Sequence, residues 1–412
     1  MPELTVNSQR LNATLEALGR IGETPEGMQR IAFSPADVEG RHYVMELMRQ
    51  AGLSVRIDHA GNIIARRGGR EERAPAIAMG SHVDTVPNGG KYDGALGVLG
   101  AIEAVRALND QGTVTRHPVE VLVFTNEEGT SFHRWLLGSR AMAGLWEPAD
   151  FNAVDSEGVG IAERLKAIGG DLAQVGEARR RRGELHTYLE LHIEQGPVLY
   201  QSGISIGVVS GITGRVVFQV GIKGAANHAG TTPMDARQDA LLAASRLTLA
   251  VNTIVTQEET CRVGTVGTVV VKPNAVNVIP GEVELGIEFR DIDMGRVGDA
   301  ERRLNEVAPE IAAATGTEIE VRRLELGQSC PIGNRIQGVV AEAARRLRLS
   351  SRTVPSGAGH DAQAMAAIAE AGMVFVPSVA GISHSPREYT SPEDCTNGAS
   401  VLLNALLIMD EE

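Results

Sequence analysis

Between residues 76 and 128 two short apolar runs flank a helix-periodic segment, and this alternation restricts the fold more than any other feature of the chain. Ala76-Ile77-Ala78-Met79 is stopped by Gly80-Ser81. Over 94–110, Leu96, Leu99, Gly100, Val105 and Leu108 recur at a helical period of about 3.6. Val119 to Thr125 is apolar again. Strands this apolar, joined through a helix, predict an α/β sheet covered by helices. Ligands of such sheets bind outside the carboxyl ends of the strands. Both apolar runs end on polar residues, in Gly80-Ser81-His82-Val83-Asp84 and in Asn126-Glu127-Glu128-Gly129.

Upstream, 36–52 reads as a helix ending at Gly52, followed by short strands at 54–57 and 62–65 around Ala60-Gly61. The character changes near 210. Residues 204–210 and 215–223 alternate as antiparallel strands, 236–256 is a long amphipathic helix, 263–271 and 282–291 are strands, and 296–315 is a helix. This predicts a β-α-β-β-α-β unit of ferredoxin type. A helix at 335–349 and a strand at Met373–Pro377 then return to the first sheet. The expected organisation is a mixed-sheet α/β catalytic domain, 1–212 and 330–412, interrupted by an inserted ferredoxin-like α+β domain at 213–329. The cleft between the two is the expected ligand site.

The formal charge of −13 argues against nucleic acid as a partner. Cys261, Cys330 and Cys395 are odd in number and far apart, which predicts no disulfide framework and a reducing cytoplasm. The N-terminus lacks the basic and apolar regions of a signal peptide. No stretch approaches the roughly 20 apolar residues of a membrane span, so no membrane partner is expected.

Adjacent carboxylates repel, and a strand end carrying Glu127 and Glu128 calls for a cation or a shared proton. One can hold a cation while the other takes a proton from water; the bland alternative is a solvated turn. His82 and Asp84, two apart in an extended segment, point the same way, so Asp84 can orient the imidazole. Alone the pair also fits an ordinary turn. Asp93, in Tyr92-Asp93-Gly94, reads as a helix N-cap, as a ligand, or as both at once. His192 falls in Glu190-Leu191-His192-Ile193-Glu194-Gln195-Gly196, and His384 in Gly381-Ile382-Ser383-His384-Ser385. Either histidine alone reads as structural; the set suggests a metal cluster with a base beside it.

Taken together, these motifs resemble the dinuclear zinc aminoacylase/carboxypeptidase superfamily. Within it they are most similar to the amidase–hydantoinase–carbamoylase branch, which includes N-carbamoyl-L-amino-acid hydrolases, bacterial-type β-ureidopropionases and allantoate amidohydrolases. The resemblance runs from about residue 10 to 408. It implies two divalent ions per subunit, zinc by preference, with manganese, cobalt or nickel able to substitute. One would take His82, Asp93 and His192, the other Asp93, Glu128 and His384, with Glu127 as general base and Asp84 orienting His82. Where related peptidases carry a carboxylate, this chain has His192.

The resemblance also gives the inserted domain a role as lid and dimer interface. His228, in Asn227-His228-Ala229-Gly230, would polarise the scissile carbonyl from the other subunit of a homodimer. Asn277 and Arg290 would bind substrate, Arg290 through the α-carboxylate, with Gly359 and Gln195 adding contacts. Without the resemblance, Arg290 reads as an ion pair with Asp291 or Asp293, and His360 as structural. The implied reaction is hydrolysis of the linear C–N bond of an N-carbamoyl amino acid. Gly138-Ser139-Arg140-Ala141-Met142-Ala143-Gly144 favours that substrate over allantoate. A non-catalytic binding protein of the same fold is the alternative of a different class.

Overall fold

The computed structural model describes residues 3–412 and divides into two compact units. The first runs to Ser210 and resumes over Ile332–Glu412; the second is Gly211–Pro331. In chain order, helices α1 (Ser8–Arg20) and α2 (Pro35–Gln50) precede strands β1 (Ser54–Ile57), β2 (Ile63–Arg67) and β3 (Ala76–His82). Next come α3 (Ala95–Asp110), β4 (Val119–Phe124), β5 (Leu185–Ile193) and β6 (Ile206–Ile212).

The second unit comprises β7 (Gly214–Lys223), α4 (Ala240–Thr256), β8 (Val263–Lys272), β9 (Glu282–Asp291), α5 (Met294–Thr315) and β10 (Glu318–Gly327). Its sheet has the order β8-β9-β7-β10, antiparallel throughout, which is a β-α-β-β-α-β topology. Strand β7 alternates strictly: Val216, Phe218, Val220 and Ile222 join a core with Leu247, Leu285, Phe289 and Leu304, while the residues between them face the other way.

The chain then forms α6 (Asn334–Arg346), β11 (Ser351–Ser356), α7 (Asp361–Met365), β12 (Glu370–Val376) and α8 (Pro392–Glu411). The large sheet is nine-stranded. Its path is Cys330–Pro331, β6, β12, β5, β3, β4, β2, β1, with β11 pairing β6. The four central strands β12, β5, β3 and β4 are parallel, and the pairs β2–β4, β1–β2 and β6–β12 are antiparallel. Strands β3, β4 and β12 are almost wholly buried. Helices α1, α3, α6 and α8 pack together on one face. Leu191 of β5 points at that face, toward Gly100 of α3 and Gly398 of α8; its neighbours Glu190 and His192 point the other way, toward α7 and the loop before it.

One pairing departs from the sequence expectation. The segment near 204–210 is a strand, but it does not pair with 215–223. It belongs to the large sheet, against β12. Alternating polarity says that one face is buried and not which sheet buries it.

Candidate active site

Because β3, β4, β5 and β12 run parallel, their carboxyl ends lie along one edge. His82 ends β3 opposite Phe124 of β4, and His192 of β5 lies opposite Phe375 of β12. The segments leaving these ends carry Glu127, Glu128 and His384. Past β4 the chain turns through Asn126, whose left-handed backbone (φ 51°) asparagine tolerates better than most residues.

His82 Nδ1 lies 2.9 Å from the carbonyl oxygen of Asp84, and His192 Nδ1 lies 2.9 Å from that of Ile193. A proton on each Nδ1 leaves each Nε2 as the lone-pair donor. His82 Nε2 is 3.4 Å from Asp93 Oδ1, and His192 Nε2 is 3.1 Å from it. The other Asp93 oxygen, Oδ2, is 3.4 Å from His384 Nε2, which is 3.6 Å from Glu128 Oε1. Glu127 Oε2 is 3.6 Å from His82 Nε2.

Asp93 is thus common to two donor sets, His82–Asp93–His192 and Asp93–Glu128–His384. Within each set the donor atoms lie within 4.8 Å of one another, and His82, Glu127 and Glu128 form a third such group. Glu128 Oε1 is buried and has no hydrogen-bond partner among the described residues. A buried carboxylate oxygen left in that state is costly unless a cation meets it. Mixed imidazole and carboxylate donors suit zinc and its neighbours in the first transition row. The residues therefore fit divalent metal ions.

The electrostatics follow from crowding acids in a dry place. Burial lifts the Glu127 carboxyl well above its usual range; His82 opposes this, while Asp361, Glu128 and Asp84 add to it. Burial and then the charge of Asp93 push Glu128 up to about 7. Burial would raise Asp93 too, but His192, helped by His384 and His82, holds it well below the carboxylate range. The hydrogen bond to Asp93 lifts His384 to about 9. Two residues of the group also have strained backbones: Gln195 and His384 are left-handed at φ 56° and 51°. Each costs roughly 1–3 kcal/mol, a cost that recurs at functional sites.

Several expectations change in detail. The Asp84 atom nearest His82 Nδ1 is its carbonyl oxygen, with carboxylate Oδ1 at 3.8 Å. The Asp84 carboxylate instead accepts the backbone N–H groups of Glu127 and Glu128, at 3.2 Å each, so it braces the acidic pair. Asp93 does not cap α3: the cap position is Gly94, with φ 64°, where a β-carbon would stand 2.5 Å from the His82 ring. The Gln195 amide nitrogen donates to Asp93 Oδ2 at 2.6 Å and lies 3.4 Å from His384 Nε2. Gly359 sits in the loop before α7, with the Trp135 ring 3.4 Å from where its β-carbon would be. His360 is buried, hydrogen-bonded to Ser356 at 2.9 Å, with its ring 4.4 Å from that of His192.

The remaining residues lie in the second unit. His228 and Asn277 are exposed neighbours: Ala229 N–H donates to the Asn277 carbonyl at 2.9 Å, and His228 pairs with Val278 across a short antiparallel bridge. Gly230 N–H donates to His228 Nδ1 at 3.0 Å. Arg290 has an acidic partner in Glu288, bound through Nε and Nη2 at 3.1 Å each.

Sequence reasoning missed the polar residues that brace the cluster. Glu190 joins Ser81 (2.7 Å) to the N–H of Ala362 (2.8 Å). Ser378 receives the N–H of Gln195 at 3.0 Å. Glu388 receives the N–H groups of Tyr92 and Asp93. The available signals were weak: Glu190 lies two residues before His192 on the same face, and Glu388 four residues after His384.

Over residues 78–408 the chain matches the family described as peptidase family M20/M25/M40. It is 38% identical over 411 residues to the N-carbamoyl-L-amino-acid amidohydrolase of Pseudomonas sp. (strain NS671), covering 99% of each chain. It is 38% identical to the ureidoglycolate hydrolase of Arabidopsis thaliana, over 97% of this chain and 86% of that one. To the allantoate amidohydrolase of Escherichia coli (strain K12) it is 35% identical over 96% of each. Among solved structures, an amidase of the hydantoinase/carbamoylase family from Burkholderia multivorans matches with a TM-score of 0.95 and 38% identity, covering 100% of both chains.

Proposed function

The chain belongs to peptidase family M20/M25/M40, and from that premise we propose that it cleaves the linear C–N bond of an N-carbamoyl-L-amino acid, releasing the amino acid, ammonia and carbon dioxide. It is a hydrolase of C–N bonds, like its amidohydrolase relatives. The observation that carries the reading is Asp93 shared between two donor sets, with Glu127 beside them.

In this reading His82, Asp93 and His192 hold one divalent ion and Asp93, Glu128 and His384 a second, zinc by preference. The ions supply Lewis-acid polarisation and favour ionisation of water. Glu127 takes the proton of the attacking water and returns it to the leaving nitrogen. Asp84, through the N–H groups of Glu127 and Glu128, fixes where that carboxylate stands. His228 donates to the carbonyl oxygen as charge develops there. Arg290, held by Glu288, receives the substrate α-carboxylate. Asn277, Gln195 and the backbone of Gly359 orient the rest.

A homodimer through the inserted unit, with that unit acting as a lid, completes the proposal. Edge strand β8 has Lys272 as its one charged residue, and Val263, Val269 and Val270 are exposed along it. Helix α4 exposes Leu241, Leu242 and Leu249. A long uncharged edge beside apolar surface is a template for pairing with another chain. Three unpaired cysteines support residence in a reducing cytoplasm. Among the described residues no helix is long and apolar enough to cross a membrane.

The test is an ammonia-release screen of N-carbamoyl-L-amino acids, N-carbamoyl-β-alanine, allantoate and ureidoglycolate, each with zinc, manganese, cobalt and nickel. Carbamoyl amino acids should lead. A preference of about tenfold in kcat/KM for allantoate or ureidoglycolate, about 1.4 kcal/mol, would replace this substrate with that one. Absence of bound metal and of turnover on every ureido acid would leave a binding protein.

A further inference from the structure

Glu388 plays no part in the reading above, yet it touches both loops on which that reading depends. Its side chain is buried. Oε1 accepts the backbone N–H groups of Tyr92 at 2.9 Å and Asp93 at 3.1 Å, and Oε2 accepts the hydroxyl of Ser383 at 2.8 Å. The same hydroxyl lies 3.2 Å from Asp93 Oδ2. One carboxylate therefore grips the backbone of Asp93 and the residue just before His384. Several hydrogen bonds converging on one carboxyl group in a dry setting are strong and directional.

The Asp93 loop is shaped to receive this carboxylate. A methyl group on Gly90 would overlap Oε1, Cδ and Cβ of Glu388. Gly90 does not have the positive φ that favours glycine, so the close approach of Glu388 is what excludes a side chain there.

The tie also has a load. His82 and His192 end rigid strands and have Nδ1 bound to backbone oxygens. His384 has neither support. Its side chain is half-exposed, and it sits on a loop where Ala380, Gly381 and His384 all have left-handed backbones. Such conformations persist only where the surroundings over-determine them.

We propose that Glu388 is a positioning residue that fastens the Asp93 loop to the His384 loop, with Gly90 as its seat, and that the donor set Asp93–Glu128–His384 is the one lost when the tie is cut. The inference rests on reading that set as a cation site.

The experiment is calorimetric titration of Mn2+ alone into metal-stripped full-length protein. The wild-type chain should take up two ions. Glu388→Ala and Gly90→Ala should each bind the first within about threefold of wild type and the second at least about tenfold more weakly. Glu388→Gln keeps an acceptor for the N–H groups of Tyr92 and Asp93 and should recover second-ion affinity; Glu388→Asp, one methylene short, should not. Thermal melts in EDTA identify an unfolded variant. If Glu388→Ala is unfolded, Gly90→Ala and Ser383→Ala, which retain the carboxylate, decide the question. Two ions bound with wild-type affinity by folded Gly90→Ala and a second folded variant would overturn the tie while leaving the cation sites standing. A wild-type chain that binds no Mn2+ would instead overturn the reading of the site, and the tie with it.

Discussion

Glu127 and Glu128 are adjacent in sequence and differently placed in space: one oxygen of Glu127 faces the His82 imidazole, while one of Glu128 faces His384. Glu127→Gln preserves shape and all five residues of the two donor sets but removes the proton acceptor. Turnover should fall by roughly 10²–10⁴ with metal content unchanged. Near-normal turnover would remove Glu127 from the mechanism. A second prediction concerns His186, at the far end of β5, whose ring centre lies 4.8 Å from that of His117, the two rings tilted at 53°. Burial, then His117 and Arg335, lowers its pKa. The folded chain thus resists a proton that the unfolded chain accepts near pH 6.5. Stability from this group is complete above that pH and is lost as pH falls below it. His186→Gln should flatten the decline in urea midpoint between about pH 7.5 and 5.5; an unchanged slope would show that other groups set it. His82, Glu127 and Glu128 were legible because they lie where apolar runs stop, and Asp93, His192 and His384 because their motifs resemble those of a known family. Glu388 was not, because its partners are backbone N–H groups brought to it from nearly 300 positions away.

Periodicity found β3, β4, β12 and α3, the first three as mainly apolar runs and α3 as a helical repeat, but not β5, whose Leu185–Ile193 mixes polar and apolar residues. It could not assign β6 to its sheet, and it gave no warning that Asp93 sits before the cap of α3 and not at it. Both depend on contacts distant in sequence. Strand β5 shows what an element contributes. Alternate side chains serve opposite purposes: Leu191 fills the space between α3 and α8, and Glu190 and His192 furnish the site. Leu191→Ala should destabilise the chain by about 2–5 kcal/mol, read from denaturant unfolding. Because Leu191 faces away from the donor atoms, the folded variant should keep its metal content. Loss of metal without loss of stability would show that the two faces of β5 are not independent.

In the proposed reaction the chain as a whole divides its chemistry between two units. The first carries the acid and imidazole cluster, and the second carries His228, Asn277 and Arg290. If the bare edge of β8 joins two copies, Val269→Lys with Val270→Lys should convert a dimer to a monomer by light scattering while leaving the first unit's metal content intact. A dimer surviving both charges would move the interface elsewhere. The order of strands in the large sheet also bears on how the molecule is made. Strand β12 lies between β5 and β6, although the entire second unit is translated before it. At about 5–20 residues per second, on the order of 10–40 s separates the emergence of β5 from that of β12. Throughout that interval a nascent chain holds His82, Asp93, Glu127, Glu128 and His192 while one flank of β5 lacks its neighbour and His384 does not yet exist. Chaperone capture and premature cleavage should therefore concentrate on ribosome-bound chains that end between residues 193 and 376, and the enzyme is safe from both only after its last parallel strand slides home.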